Sequence, residues 1–171
     1  MIYILTGDIR TGKTTALLEW INTSAALSGT NRNDVDGVLC PDDDKGKRYF
    51  LNIKSKDKYP LAANSDTEDH NIISIGPFQF LKSSFQNAND YLLQSNDKRE
   101  YLYLVVDELG KLELKNIGLH DSAKSIIAQH ENSKTHHLIL VVRESLLNDI
   151  IEHYDISQYS VLRKEDLDTL N

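Results

Sequence analysis

The stretch "GDIRTGKT", residues 7–14, constrains the possible structure of this chain more than any other feature. It matches the pattern Gly-x-x-x-x-Gly-Lys-Ser/Thr through Gly7, Gly12, Lys13 and Thr14. The apolar run "IYILT" precedes it, and apolar residues at helical spacing follow it. A strand, a glycine-containing loop and a helix in this order predict a phosphate-binding loop.

Each fixed position of such a loop has a chemical task. The glycines let backbone N–H groups turn toward phosphate oxygens, and the helix N-terminus adds a favourable dipole. We expect Lys13 to reach the β- and γ-phosphates and Thr14 to place its hydroxyl on Mg²⁺. The nucleotide-binding residues that we predict are Gly7, Asp8, Ile9, Arg10, Thr11, Gly12, Lys13, Thr14 and Thr15.

Arg10 stands at a loop position where a glycine or another small residue is common. Two interpretations are open. The side chain is solvated and tolerates the local backbone, or its guanidinium lies beside the triphosphate and donates charge-assisted hydrogen bonds.

A second motif, "YLVVDELGKLEL", ends an uninterrupted apolar run with two carboxylates. Such a run predicts a central parallel strand, and Asp107 at its end is suited to hold the magnesium shell. Glu108 beside it is the predicted base for an attacking water, and Glu113 is a weaker candidate that orients Lys111 or the loop. Arg143 follows another apolar run and would offer a cation to the transferred phosphoryl group.

The order of the elements predicts an α/β fold. Strands alternating with helices indicate three layers (α/β/α) around a mainly parallel sheet, and we predict one domain over residues 1–171. The first helix is expected to reach about Gly29, before a turn at "NRND", and another helix to cover about 77–95. The polar segment 42–69 is expected to form a small β-hairpin insertion and a mobile lid.

The charge balance argues against a nucleic-acid partner, because 19 Lys and Arg stand against 26 Asp and Glu, a net charge of -7. The single cysteine, Cys40, cannot form an intramolecular disulfide. There is neither a secretion-signal pattern nor an apolar stretch of the roughly 20 residues that would span a bilayer. These features predict a cytoplasmic protein, and they leave its oligomeric state open.

The chain resembles the small P-loop nucleoside-triphosphatases known as the THEP-type or cancer-related NTPases. The likeness is carried by "LTGDIRTGKTT", "GVLCPDDDKGKRYFLNI" and "VVDELGKLELK". It implies Mg²⁺-dependent hydrolysis of nucleoside triphosphates, such as ATP or GTP, to diphosphates with broad base tolerance. By position, Lys13 and Thr14 match the family's loop residues, Asp107 its metal-side acid, Glu108 its candidate base and Arg48 a basic hairpin position.

The sequence departs from that family in two places. The loop has Ile9 and Arg10 where proline and glycine are common, and the hairpin reads "RYFL" where Arg-x-Gly-Phe is usual. Two other functions that use the same phosphate loop stay open: a kinase that passes the phosphoryl group to a hydroxyl held under segment 42–69, and a nucleotide-binding adapter resembling the accessory proteins of molybdenum-cofactor assembly.

Overall fold

A seven-stranded sheet forms the centre of the structure. The structure is a computed structural model, and it describes residues 1–27 and 34–170. The strands are β1 (Ile2–Gly7), β2 (Val35–Leu39), β3 (Tyr49–Asn52), β4 (Lys58–Pro60), β5 (Ile72–Ile75), β6 (Phe78–Leu81), β7 (Tyr103–Leu109), β8 (His137–Arg143) and β9 (Tyr159–Leu162). The helices are α1 (Lys13–Leu27), α2 (Lys82–Lys98), α3 (His120–His130) and α4 (Leu147–His153). In the described parts of the chain, no helix combines the length and apolar character needed to cross a membrane.

The strand order places the two sequence motifs close together. It runs β4-β3-β2-β7-β8-β1-β9. Strands β2, β7, β8, β1 and β9 are parallel to one another, and at one edge β3 is antiparallel to both of its neighbours, β2 and β4. The register pairs Gly7 with Arg143, and Asp107 with Val141. Because parallel strands end at the same edge of a sheet, the phosphate loop, the Asp-Glu pair and Arg143 all lie at one edge. The predicted mainly parallel α/β architecture is confirmed.

Helices cover both faces of the sheet. Along β7, Leu104 and Val106 pack into the cluster formed with α2, α3 and α4, whereas Tyr103 and Val105 pack into the cluster formed with α1. Alternate side chains of a strand point to opposite faces, so an uninterrupted apolar run is buried on both sides. The three predicted layers are therefore present, and the central strands are rigid supports for the residues at their ends.

The predicted helix at 77–95 was wrong at its start. Residues 78–81 form strand β6, which pairs with β5 in a separate two-stranded sheet, with Ile75 opposite Phe78. The helix, α2, begins at Lys82 and continues to Lys98. Phe78 and Phe80 lie two residues apart, so they share one face of a strand. The pairing with β5 stabilises this strand, and the helical pattern of residues 77–95 gives no sign of that pairing. The expected end of α1 near Gly29 and the turn at 31–33 lie outside the described residues.

The polar segment 42–69 contains the expected hairpin. Strands β3 and β4 are antiparallel and extend the central sheet beside β2. Beyond β4 the chain is tied to β6, because the Leu81 N–H donates to the Leu61 carbonyl at 2.8 Å and the Ala63 N–H to the Gln79 carbonyl at 3.0 Å. The hairpin is thus part of the sheet, and its mobility as a lid stays a prediction.

Gly37 in β2 allows close contact with β7, and its replacement should destabilise the fold. A Cβ atom at Gly37, where φ is +118°, would lie 2.1 Å from the Val105 carbonyl oxygen and 2.6 Å from its nitrogen. We expect Gly37→Ala to lower the free energy of unfolding by about 3 kcal/mol, measured by urea denaturation. Gly46→Ala is the control, because φ is +72° there and the added Cβ meets no atom within 4 Å. Equal losses in the two variants would contradict steric contact as the cause.

Candidate active site

The phosphate loop connects β1 to α1 and encloses a lysine. The ammonium of Lys13 donates hydrogen bonds to the backbone carbonyls of Gly7, at 2.9 Å, and Asp8, at 2.8 Å. Burial lowers the pKa of Lys13, and the nearby carboxylates of Glu108 and Asp107 oppose that shift. Gly12 supplies the left-handed turn into the helix, with φ of +82°. The cation therefore lies within the curve of the loop, where a phosphate would need it.

The two unusual loop residues, Ile9 and Arg10, both face solvent. Arg10 has a left-handed backbone, with φ of +59°, and an exposed side chain. Such a conformation costs a non-glycine residue on the order of 1 kcal/mol, so the local backbone is strained. Ile9 leaves 61% of its surface exposed. Contact of either residue with a nucleotide stays a prediction.

The hydroxyl of Thr14 joins the two motifs directly. Its Oγ1 donates to Asp107 Oδ2 at 2.7 Å, and the Cys40 backbone N–H donates to the same oxygen at 3.0 Å. Asp107 is completely buried, and its Oδ1 accepts no hydrogen bond from any residue that the structure describes. Burial raises the pKa of Asp107 to about 6, although the hydrogen bonds from Cys40 and Thr14 act in the opposite direction. A buried carboxylate oxygen without a partner is a ready ligand for a cation.

The residues at this position fit Mg²⁺, the ion that the family resemblance implies. Mg²⁺ prefers oxygen ligands, and in nucleotide sites it takes only one or two from protein, with phosphates and water completing its shell. The Thr14 hydroxyl and the Asp107 carboxylate, joined by a hydrogen bond of 2.7 Å, supply such oxygens. Within residues 1–27 and 34–170 no group of three or more His, Cys, Asp or Glu side chains is arranged to hold a metal ion by itself. The donor set therefore suits a metal that arrives with a nucleotide.

Two arginines from different elements converge on Glu108. Arg143, at the end of β8, places Nε 2.5 Å from Glu108 Oε1, and Arg48, before β3, places Nη2 3.5 Å from Oε2. Arg48 also lies 3.8 Å from Asp42. The Glu108 side chain remains 14% exposed, so water can reach it. The structure thus brings Arg143 and Arg48 together at Glu108, and Glu108 and Arg143 lie close enough to Lys13 of the loop to influence its charge.

Glu113 holds the segment that follows Glu108. Its buried carboxylate accepts hydrogen bonds from the Gly110 N–H at 2.7 Å and the Leu119 N–H at 2.8 Å. Burial raises its pKa, and these two hydrogen bonds partly offset that effect. Of the two roles suggested from the sequence, the geometry matches orientation of the loop. Glu113 therefore positions the backbone at Gly110, two residues beyond Glu108.

The sequence analysis missed a segment after β9 that contacts the phosphate loop. Lys164 Nζ donates to the Thr11 carbonyl at 3.2 Å, while Arg163 forms a two-point ion pair with Glu144. Together with α1 this segment borders an open cavity of about 380 Å³, which is lined by Gly12, Thr15, Ala16, Glu19, Lys164 and Glu165. The available signal was the basic pair directly after "YSVL", at the end of a strand that lies beside β1.

A phosphate loop between a strand and a helix, with an Asp-Glu pair at the end of a parallel strand, defines a P-loop NTPase fold. The chain belongs to the NTPase family, because the family model of that description matches residues 2–170. The sequence-based family resemblance is therefore confirmed. No curated protein gives a significant sequence match.

Two solved structures share the fold over nearly the whole chain. The crystal structure of THEP1 from the hyperthermophile Aquifex aeolicus superposes with a TM-score of 0.69 at 15% identity, covering 100% of this chain and 97% of that one. The solution structure of a human cancer-related nucleoside triphosphatase superposes with a TM-score of 0.65 at 17% identity, covering 99% and 94%. At these identities the likeness shows a shared fold and nothing more.

Proposed function

We propose that this protein is a Mg²⁺-dependent nucleoside-triphosphatase that hydrolyses NTP to NDP and phosphate with broad base tolerance. The observation that carries the proposal is the position of Glu108. It follows Asp107, whose carboxylate accepts the Thr14 hydrogen bond, yet its own carboxylate is partly exposed and paired with two arginines. A protein that only binds nucleotide has no need of such a carboxylate, whereas water activation requires one.

Binding of the triphosphate rests on the loop and Lys13. The Lys13 ammonium, now bonded to two loop carbonyls, would turn to the β- and γ-phosphates. Thr14 and Asp107 would hold Mg²⁺, which when bound neutralises negative charge on the phosphate oxygens.

Hydrolysis would use water as the nucleophile. The water oxygen forms a bond to the γ-phosphorus while the bond from that phosphorus to the bridging β–γ oxygen breaks, and Glu108 accepts the proton. Arg143 lies 2.5 Å from Glu108, so it both orients this carboxylate and places a cation near the transferred group. Most of the rate enhancement would come from position and charge, as is usual for phosphoryl transfer.

The cavity beside the loop supports broad base tolerance. It lies next to Gly12 and Thr15 and is bordered by charged side chains of both signs, Glu19, Lys164 and Glu165. Long, exposed side chains adapt to different donor and acceptor patterns, whereas strong base selection requires buried polar groups in fixed positions. We therefore assign the nucleoside to this cavity.

The proposed activity is tested by measuring phosphate release from ATP, GTP, CTP and UTP with Mg²⁺ and with EDTA. We expect release from all four, with kcat/KM values within about tenfold of each other, since the charged side chains that border the cavity are exposed and can adapt to different bases. We expect no release with EDTA. Phosphate release in EDTA would contradict the metal dependence, and a strong preference for one nucleotide would contradict the broad base tolerance. Turnover of the nucleotide only when a hydroxyl acceptor is added would favour the kinase function.

Replacing Arg143 should affect turnover more than binding. We expect Arg143→Gln to lower kcat by about 10- to 100-fold and to change KM by less than about threefold, because the cation acts on Glu108 and on charge that develops in the transition state. Steady-state phosphate release measures both constants. Arg99→Gln removes an exposed arginine at the end of α2 and is the control. A raised KM with unchanged kcat would show that Arg143 binds the ground state and the transition state equally, and would contradict its proposed role.

A further inference from the structure

Arg48 is a cation at the candidate active site to which the proposed hydrolysis assigns no task. Its Nη2 lies 3.5 Å from Glu108 Oε2, and its Nε lies 3.8 Å from Asp42 Oδ1. The carboxylates of Glu108 and Asp107 are both near enough to influence its charge. The guanidinium therefore lies beside the predicted base and the predicted metal ligand, at the edge of the sheet that carries the phosphate loop.

A short hairpin, residues 40–49, holds Arg48 in this position. It connects β2 to β3 and extends both strands beyond the sheet. On one side Arg48 pairs with Asp42 in an antiparallel bridge, and on the other side the Leu61 N–H donates to the Arg48 carbonyl at 3.1 Å. The backbone of Arg48 is thus fixed from both sides, so little order has to be gained when a ligand binds.

The tip of this hairpin is closed by the carboxylate of Asp43. Its Oδ1 accepts hydrogen bonds from the N–H groups of Lys45 and Lys47, each at 2.8 Å, and the Asp43 N–H donates to the Lys47 carbonyl at 2.8 Å. Successive side chains of an extended chain point to opposite faces, so Lys47 is expected to point away from the face that carries Arg48. The hairpin therefore offers one cation to the site and an equal charge, one residue away, outside it.

Most of the hydrogen-bonding capacity of Arg48 is unused. A guanidinium has five N–H groups in a planar fork. Among the residues that the structure describes, the Arg48 side chain forms one hydrogen bond, the 3.5 Å contact with Glu108, which is longer than the usual range for N–H donors. Arg143, in contrast, lies 2.5 Å from the same carboxylate. The Arg48 side chain is 41% exposed, so its other N–H groups can reach a ligand without giving up Glu108.

The unused N–H groups of Arg48 suit a phosphate, and the position of Glu108 indicates which one. The planar fork of arginine matches the oxygens of a phosphate group. In the proposed hydrolysis, the water that Glu108 activates attacks the γ-phosphorus roughly in line with the leaving oxygen. The γ-phosphate is therefore the phosphate nearest to Glu108, and the β-phosphate lies on the far side of the breaking bond. A cation beside Glu108 contacts the γ-phosphate and not the β-phosphate.

We propose that Arg48 binds the γ-phosphate and thereby makes the site distinguish a nucleoside triphosphate from the diphosphate product. This inference rests on the proposed function, because Glu108 as the base fixes the side on which the γ-phosphate lies. Arg48 differs in this from Arg143, whose close contact with Glu108 ties it to turnover. Since the diphosphate lacks the group that Arg48 contacts, the product is held less tightly than the substrate.

The test compares the binding of two Mg²⁺ complexes to the full chain by isothermal titration calorimetry: ADP, and AMP-PNP, a triphosphate analogue that resists hydrolysis. We expect the wild type to bind AMP-PNP more tightly than ADP. We expect Arg48→Gln to weaken AMP-PNP binding by about 10- to 100-fold, the effect of losing a hydrogen bond to a charged group, and to change ADP binding by less than about twofold. Arg48 is exposed, so this variant should fold normally.

Lys47→Gln is the matched control, because it removes the same charge from the neighbouring exposed position of the same hairpin. We expect it to change the affinity for either nucleotide by less than about twofold. Equal weakening of AMP-PNP and ADP by Arg48→Gln would overturn the proposal, since Arg48 would then attract both through its charge alone. An unchanged affinity for AMP-PNP, or an equal loss in Lys47→Gln, would overturn it as well.

Phosphate release from ATP, measured on the same preparations, separates this inference from the proposed function. If the wild type releases no phosphate but Arg48→Gln selectively loses AMP-PNP binding, the contact with the γ-phosphate is supported and hydrolysis is contradicted. If the wild type releases phosphate and Arg48→Gln binds AMP-PNP normally, hydrolysis stands and the role of Arg48 is contradicted.

Discussion

Lys13→Met should lower the rate of phosphate release by about 10²- to 10³-fold, the usual effect of losing one preorganised donor to developing charge. The variant keeps an unbranched side chain only one atom shorter but loses the ammonium that donates to the Gly7 and Asp8 carbonyls. Because the same cation would contact the triphosphate before the reaction, nucleotide affinity should fall as well. Phosphate release and binding of a fluorescent ATP analogue measure the two effects.

Lys98→Met is the control for Lys13→Met. Lys98 is an exposed residue in the last turn of α2, so its loss removes an equal charge away from the loop. Circular dichroism and urea unfolding should show that both variants keep the fold, because Lys13 contacts the loop and not the apolar core. Phosphate release by Lys13→Met at the wild-type rate would contradict the assignment of residues 7–15 as the phosphate site.

Glu108→Gln should lower kcat by about 10²- to 10⁴-fold, the range attributed to general acid–base catalysis. Glutamine has the same size but accepts a proton from water far less readily, and its neutral amide also loses the ion pairs with Arg143 and Arg48. Nucleotide affinity should stay close to that of the wild type, since Lys13, Thr14 and Asp107 are unchanged. Single-turnover phosphate release and equilibrium binding separate the two quantities.

The control for Glu108→Gln is Glu152→Gln, an exposed position in α4. Its kcat should match that of the wild type. If Glu108→Gln hydrolyses ATP normally, Glu108 is not the base. If the wild-type protein binds nucleotide without releasing phosphate at a rate above that of Lys13→Met, the protein acts as a nucleotide-binding adapter, and the two carboxylates serve binding alone.

Much of the fold was predictable because the central elements carry strong local patterns. The runs ending at Leu5, Val106 and Val142 are continuous apolar stretches, and each forms a parallel strand covered on both faces. The pattern Gly7–Thr14 carries its own structural context, because its glycines and its helix start are local in sequence. Such segments form the same element wherever they are buried.

Residues 78–81 could not be assigned from local pattern. Apolar residues at 78, 81 and 85 fit a helix, but Phe78 and Phe80 also fit a strand, and the pairing with Ile75 and Ile73 decides between them. Glu113 presents the same difficulty. Its two N–H partners, Gly110 and Leu119, are three and six residues away, and only the fold of the loop turns them toward one carboxylate.

By itself the sequence determined the class of fold, the phosphate loop and the acidic pair, because each depends on residues that are neighbours along the chain. Only the tertiary structure decided which side chains meet: Thr14 with Asp107, Glu108 with Arg143 and Arg48, and Lys164 with the Thr11 carbonyl. These contacts join residues up to 153 positions apart. They follow from the order in which the strands lie side by side, with β8 between β7 and β1, and strand order is set by packing over the whole sheet, which no local pattern encodes.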